Sequence, residues 1–257
     1  MSEQLETLIV EQRGEVEWLT LNRPEKLNAL NKVMVRELRE YFEQKYHDHD
    51  TRVIVLRGAG RGFCAGLDLT DAGSDGTLSD AYNQQTGIRD IYKAMRRCPQ
   101  PIISLIKGPA CGGGFSLALA SDIRIVGASA KMNAAYITIG LTGCDMGSSY
   151  FLPRLVGASL ASELLLTGRF IHADEAVQYR LASKQVPDDE LDDAAEELVN
   201  AMLATSKMGL RLTKDALNFS IDAQSMDAAM AVEDRQQTLL ALASEEFGQR
   251  AKKYRSD

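Results

Sequence analysis

Two apolar runs in this chain end in glycine-rich loops, and that arrangement restricts the fold more than any other feature. Arg52–Arg57 (RVIVLR) leads into GAGRGFCAGLDL (58–69), and Pro101–Ile106 (PIISLI) leads, through Lys107, into GPACGGGFSL (108–117). Continuous apolar runs of this length suit strands covered on both faces. Ile88–Arg97 has helical spacing between the two, and a short apolar helix over Phe115–Ala120 and a strand over Ile123–Val126 follow the second loop. Alternation of strand and helix predicts an α/β core with mostly parallel strands.

The flanking sequence fills in the rest. Leu8–Val10 and Val16–Leu21 read as strands joined by a turn at Arg13-Gly14, and Asn22-Arg23-Pro24 ends the second. Asn28–Tyr46 reads as a helix, with Leu30, Val33, Val35, Leu38 and Phe42 near one side. Residues 71–87 (DAGSDGTLSDAYNQQTG) are polar and rich in Gly and Ser, which predicts a mobile loop. Past about residue 158 the strand signals fade. Ala173–Tyr179, Asp189–Ala204, Lys207–Phe219 and Met226–Ala243 then read as helices. The expected organisation is an α/β core over residues 1–200 and a helical C-terminal region over residues 201–257.

Composition excludes several classes. With 45% hydrophobic residues over 257 positions, the chain can bury a substantial core. Its net charge of −7, with no basic stripe, argues against nucleic acid as a partner. No apolar run is long enough to span a bilayer, so no membrane partner is expected. MSEQLETLIVEQRGE lacks the pattern of a signal peptide, and a cytoplasmic location is expected. Cys64, Cys98, Cys111 and Cys144 have no CxxC spacing and are expected to be isolated thiols. His47-Asp48-His49-Asp50 reads as an exposed charged loop, and neither a metal nor a permanently bound cofactor is expected.

The chemistry lies in the two loops. Successive glycines strip side chains from the backbone, so N–H groups can point at a ligand. A helix N-terminus after the second loop adds partial positive charge. Two such donors on one oxygen make an oxyanion hole, in which losing one donor costs about 3–4 kcal/mol of transition-state stabilisation. Taken singly, either loop also fits a plain tight turn. A dinucleotide-binding reading of GAGRGF lacks the last glycine and a clear following helix.

In order and spacing, five segments resemble the crotonase superfamily, the enoyl-CoA hydratase/isomerase family. They are LNRPEKLNALN (21–31), RGFCAGLDL (61–69), IKGPACGGGFSLALASDIRI (106–125), LPRLVG (152–157) and LLLTGRFIHADEAVQYRL (164–181). The match runs from Leu8 to Tyr254. The resemblance implies a crotonase-like core of repeated ββα units and C-terminal helices that drive assembly into a homotrimer or a dimer of trimers. It implies an acyl-CoA substrate, with coenzyme A present only as part of that substrate. By the same resemblance, the backbone N–H groups of Ala65 and Gly113 hold the thioester oxygen. Ala65, Gly66, Leu67 and Asp68 follow the pantetheine arm, and Lys26 and Leu27 meet the adenine. The side chains of Asp68 and Asp122 are expected to be structural.

The sequence departs from that pattern where the chemistry is decided. Relatives that hydrate enoyl-CoA carry one glutamate two residues after the triple glycine and a second twenty further on; here those positions are Ser116 and Tyr136. Hydration needs one group to activate water and another to deliver a proton. Neither serine nor tyrosine serves as that base near neutrality, tyrosine having a reference pKa of about 10. Packing or hydrogen bonding is the expected role of both.

Asp145, in GLTGCDMG (140–147), is similar to the Asp-containing loop of dienoyl-CoA isomerases after a one-residue gap. A carboxylate beside an apolar pocket can exchange protons near neutral pH. Isomerisation through a dienolate, or attack by Asp145 or by water it activates, therefore stands beside hydration. A loop cap or an ion pair is the plain alternative for Asp145. Ser116, Asp145 and His172 also follow the chain order of an α/β-hydrolase triad, but that elbow needs its serine directly after a strand. A non-catalytic acyl-CoA carrier or sensor would keep the pocket and bind CoA esters without turnover.

Overall fold

The computed structural model describes residues 5–70 and 77–254. The N-terminal half contains β1 (Leu8–Arg13), β2 (Val16–Leu21), α1 (Lys32–Lys45), β3 (Val53–Gly58), α2 (Leu78–Arg97), β4 (Ile102–Ile106), β5 (Pro109–Cys111), α3 (Gly113–Ala120), β6 (Ile123–Gly127) and β7 (Lys131–Asn133). There follow α4 (Ser148–Val156), α5 (Ala158–Thr167), β8 (Ile171–His172), α6 (Ala173–Gln178), β9 (Lys184–Val186), α7 (Leu191–Leu203), α8 (Lys207–Ser220), α9 (Met226–Ala243) and α10 (Glu245–Tyr254).

The main sheet has the order β1-β2-β3-β4-β6-β9. Its β1–β2 pair is antiparallel and every other pair is parallel. A smaller sheet, β5-β7-β8, stands beside it. Period-two alternation explains why the central runs are apolar throughout. Ile54 and Leu56 of β3 join one core with α1, α2 and α3, while Val53 and Val55 join a second core under α7. There Leu191, Ala194, Ala195 and Val199 of α7 cover Trp18, Ile103 and Leu105. The buried Arg52 guanidinium donates to the carbonyls of Met202, Leu203 and Thr205 at and just past the end of α7.

Helix α8 is tied to the core by Lys214, which is 4% exposed. Its ammonium donates to the carbonyls of Gln100 and Met95 and pairs with Asp122 at 2.8 Å. Burial works against the Asp122 charge, but Lys214 and Arg96 hold the carboxyl below its usual range. Asp122 is thus a structural anchor. No helix among the described residues is long and apolar enough to cross a membrane.

Three sequence expectations are corrected. The first helix starts at Lys32, because Leu27 and Asn28 are left-handed (φ 50° and 57°) and the Asn31 side chain caps α1 by accepting the Met34 N–H. Residues 71–76 lie outside the described residues, but most of the expected 71–87 loop is helical, since α2 begins at Leu78 under a Thr77/Asp80 capping box. Strands also continue past residue 158, with β9 joining the main sheet beside β6. Helices α4, α5 and α10 add to those read from sequence.

Candidate active site

The two glycine loops are pressed against each other. Gly66 has φ +99°, and a Cβ there would sit 2.8 Å from the Cys111 carbonyl oxygen. A Cβ on Gly114 would collide with the Cys64 carbonyl oxygen. Between them, the Cys111 N–H donates to the Cys64 carbonyl at 2.9 Å, and the Phe63 and Cys64 N–H groups share the Pro109 carbonyl. Glycine is required by this approach of backbone to backbone.

A third segment, residues 23–30, is sewn onto the first loop. The Asn28 side chain is fully buried; its amide donates to the carbonyls of Ala59, Gly62 and Phe63, and its oxygen accepts the Arg23 N–H. Arg23 pairs with Asp68 at 3.0 Å, and Asp68 also accepts the N–H and hydroxyl of Thr70. The Asp68 side chain is therefore a loop fastener. Leu27 stands at the end of a short 3-10 turn, Pro24–Lys26, with the Lys26 side chain exposed beside it. These bonds bring Lys26 and Leu27 next to the segment 65–68.

The donor expected at Ala65 is already spent: its N–H donates to the Leu27 carbonyl at 2.9 Å. The amide of Leu67 is placed differently. Leu30 and Leu67 form a parallel bridge in which the Leu30 N–H donates to the Gly66 carbonyl and the Asp68 N–H to the Leu30 carbonyl. In that pattern the amide of Leu67 itself points away from the bridge. Among the described residues, no acceptor takes the N–H of either Leu67 or Gly113. Gly113 is the first residue of α3, where an amide has no intrahelical partner and carries the helix's partial positive charge. A Cβ on Gly66 would lie 3.5 Å from the Gly113 nitrogen, so the Leu67 segment abuts that helix end.

Around this helix end stand four polar side chains. Ser116, on the first turn of α3, is fully buried, and its hydroxyl lies 2.7 Å from that of Tyr136, which is 5% exposed. Tyr136 in turn donates to the Gly112 carbonyl at 3.2 Å. Burial pushes the Tyr136 phenol up to about 12. Tyr92, buried on α2, donates to the Gly113 carbonyl at 3.0 Å and lies 3.0 Å from Met146 Sδ. Burial also raises its pKa well above the ordinary tyrosine value.

Asp145 precedes α4 and is half-buried. Burial raises its carboxyl above the ordinary aspartate value, against the opposing pull of hydrogen bonds from the Met146 N–H and Gln85. Both donors address Oδ1, at 2.7 and 2.6 Å; Oδ2 has no hydrogen-bond partner among the described residues. Met146 itself is left-handed, φ 50°, an uncommon state for a side chain of this kind. Tyr92, Gln85, Met146 and the Leu67 amide escaped the sequence reading, because no local pattern marks them.

Other sequence candidates separate from this cluster. Ser116 lies inside a helix and His172 is exposed on β8, so no hydrolase elbow is formed. Asp48 of the His47–Asp50 segment fastens a turn through Lys45, Asp50 and Thr51. All four cysteines are free, and burial pushes the Cys64 thiol up to about 12.

Known proteins resemble this chain along most of its length. The enoyl-CoA hydratase/isomerase family model matches residues 11–250. The probable enoyl-CoA hydratase EchA12 of Mycobacterium tuberculosis is 40% identical over 246 residues, 93% of this chain and 86% of that protein. The 1,2-epoxyphenylacetyl-CoA isomerase of Escherichia coli is 36% identical over 225 residues, 86% of this chain and 85% of that one. A crystal structure of a probable enoyl-CoA hydratase/isomerase from Mycobacterium abscessus superposes with a TM-score of 0.89 at 34% identity, covering 97% of this chain and 96% of the other. The chain is an enzyme of the enoyl-CoA hydratase/isomerase family, within the crotonase superfamily.

Proposed function

We propose that this enzyme isomerises an acyl-CoA by moving a proton along the acyl chain, with Asp145 as its acid and base. The thioester oxygen sits between the N–H groups of Leu67 and Gly113, which stabilise the charge of a dienolate. Asp145 Oδ2 takes a proton from an activated carbon, the double bond shifts, and Asp145, its proton exchanging with solvent, returns a proton at another carbon. No atom is gained or lost.

The observation that carries the reading is the state of the polar groups. Ser116 and Tyr136 hydrogen-bond to each other and offer no carboxylate, whereas Asp145 is a carboxylate with one oxygen unengaged among the described residues and a raised proton affinity. A single base that both removes and returns a proton suits isomerisation; water addition asks for two. The pantetheine arm follows residues 65–68 and the adenine lies by Lys26 and Leu27.

With this goes an assembly of three or six cytoplasmic chains joined through the C-terminal helical region, residues 201–257. Exposed Leu217, Phe219, Met226, Met230 and Leu242 on α8 and α9 support that role. Light scattering measures the assembly directly.

The test of function is turnover in deuterated water. Vinylacetyl-CoA, crotonyl-CoA and unconjugated dienoyl-CoA are incubated with the protein and products are weighed. Isomerised product with deuterium exchange is expected, lost by about 100-fold or more in Asp145→Asn with CoA-ester binding retained. Hydrated or hydrolysed product, or full activity in Asp145→Asn, overturns the proposal.

A further inference from the structure

We infer that Gln85 is a positioning residue that confines the travelling proton to one oxygen of Asp145, Oδ2; this rests on the role proposed above for Asp145. Gln85 Nε2 and the Met146 N–H both donate to Oδ1, at 2.6 and 2.7 Å. An oxygen that accepts two hydrogen bonds is a poorer proton acceptor than its unengaged twin. The same two bonds fix the carboxylate plane, so Oδ2 faces one direction.

Helix α2 sets this geometry. Gln85, Ile88 and Tyr92 share one helix face by their spacing. Ile88 and Tyr92 are each 3% exposed and anchor that face in the core. Residues 78–85 are exposed, so Gln85 is where α2, followed from its N-terminus, first reaches the site. Two turns later Tyr92 holds the Gly113 carbonyl and touches Met146 Sδ. One rigid helix therefore holds both the residue bearing the proposed oxyanion donor and the carboxylate in register. At the start of the Asp145 turn, the Asp145 N–H is fixed by the Ser148 hydroxyl at 3.1 Å.

The titratable groups facing Asp145 are Tyr92 on α2, Tyr136 before the 3-10 turn Ile137–Ile139, and the adjacent Cys144. The two phenols stay neutral through the working range, so among the described residues Gln85 is the polar side chain outside the Asp145 loop that bonds the carboxylate, against the larger effect of burial. Its amide favours the ionised carboxylate.

Two substitutions at this exposed helical position test the inference in opposite directions. Steady-state kinetics against pH are measured with vinylacetyl-CoA for wild type, Gln85→Leu, Gln85→Lys and, as the control, Asp145→Asn. Gln85→Leu removes the donor. Its kcat is expected to fall about tenfold with KM within about twofold, and the acid limb of the profile to move to higher pH. Gln85→Lys keeps a donor and adds positive charge, and its acid limb is expected to move to lower pH. A merely structural role gives no such opposed shifts. Acid limbs unchanged in both variants, with Asp145→Asn inactive, overturn the inference and leave the proposed function standing; an active Asp145→Asn overturns both.

Discussion

Ser116 Oγ and Tyr136 Oη lie 2.7 Å apart, and between them they close the part of the site where hydrating relatives hold two carboxylates. With Tyr136 donating to the Gly112 carbonyl, the Ser116 hydroxyl donates to Tyr136 or, at 3.5 Å, to the Asp145 carbonyl. Neither proton is available to substrate while both bonds stand. Tyr136→Phe and Ser116→Ala should each keep kcat within about fivefold of wild type and cost about 1 kcal/mol of stability, the ordinary loss for one hydrogen bond. With the phenol pushed up to about 12, wild type should show no kinetic transition near pH 10. A 100-fold loss in Tyr136→Phe would instead make the phenol a reactant.

Much of this was open to sequence reasoning, for identifiable reasons. Runs such as RVIVLR and PIISLI are buried on both faces, so their apolar character is unbroken and their assignment simple. Ser116 and Tyr136 are found by counting from the triple glycine. The Leu67 amide is different. Which N–H of the first loop turns inward depends on the positive φ of Gly66 and on the bond from Ala65 to Leu27, both set by packing against the 23–30 loop. The first turns of α2 are exposed all round, so they carry no apolar period and read as loop. Gln85 lies in that stretch.

Gly66→Ala tests the loop contact. A Cβ on a residue at φ +99°, 2.8 Å from a carbonyl oxygen, forces the loops apart and moves the Leu67 amide. Turnover of vinylacetyl-CoA should drop by about 100-fold, the usual effect of losing one oxyanion donor, and thermal stability should fall as well. Wild-type kinetics in a folded Gly66→Ala protein would show that the amide plays no part.

Asn28→Asp tests the fastening of the 23–30 loop. The new carboxylate would face the carbonyl oxygens of Ala59, Gly62 and Phe63 with no donor of its own. A loss of roughly 3 kcal/mol is expected at neutral pH from urea unfolding. Repulsion would raise the folded-state pKa of this carboxyl above its unfolded value. The deficit relative to wild type should therefore shrink as pH falls towards 4 and be largest above the raised pKa. A pH-independent deficit would point to lost packing rather than charge.

Asp145→Asn should show the opposite balance between activity and stability. Burial raises the Asp145 carboxyl, so the fold favours its protonated form. That contribution is fully present below the unfolded pKa and is lost as pH rises through the raised folded value. At neutral pH wild type carries the ionised group at a cost, and Asn removes it. The variant's Tm should exceed that of wild type at pH 7 to 8, with the difference closing near pH 4. An equal or lower Tm at neutral pH would mean that the carboxylate is structurally satisfied, and the case for a strained proton carrier would weaken accordingly.

Lys214→Met tests how α8 is held. The substitution keeps the length of the side chain and removes the ammonium from the Asp122 carboxylate and from the carbonyls of Met95 and Gln100. Asp122 retains Arg96 and the Ile102 N–H, so the charge is not wholly abandoned. The expected loss is about 3 kcal/mol, at the lower end for breaking a buried pair by removing one partner. In wild type the Asp122 carboxyl is held below its unfolded value. Its contribution is thus present above the unfolded pKa and disappears as pH falls through the folded one. Melting curves from pH 7 down to about 3 should show the two proteins converging. Because the anchor sits between α8 and the core, while the glycine loops lie elsewhere, vinylacetyl-CoA turnover per folded chain should stay near wild type. A fall in turnover without loss of stability would mean that α8 reaches the substrate after all.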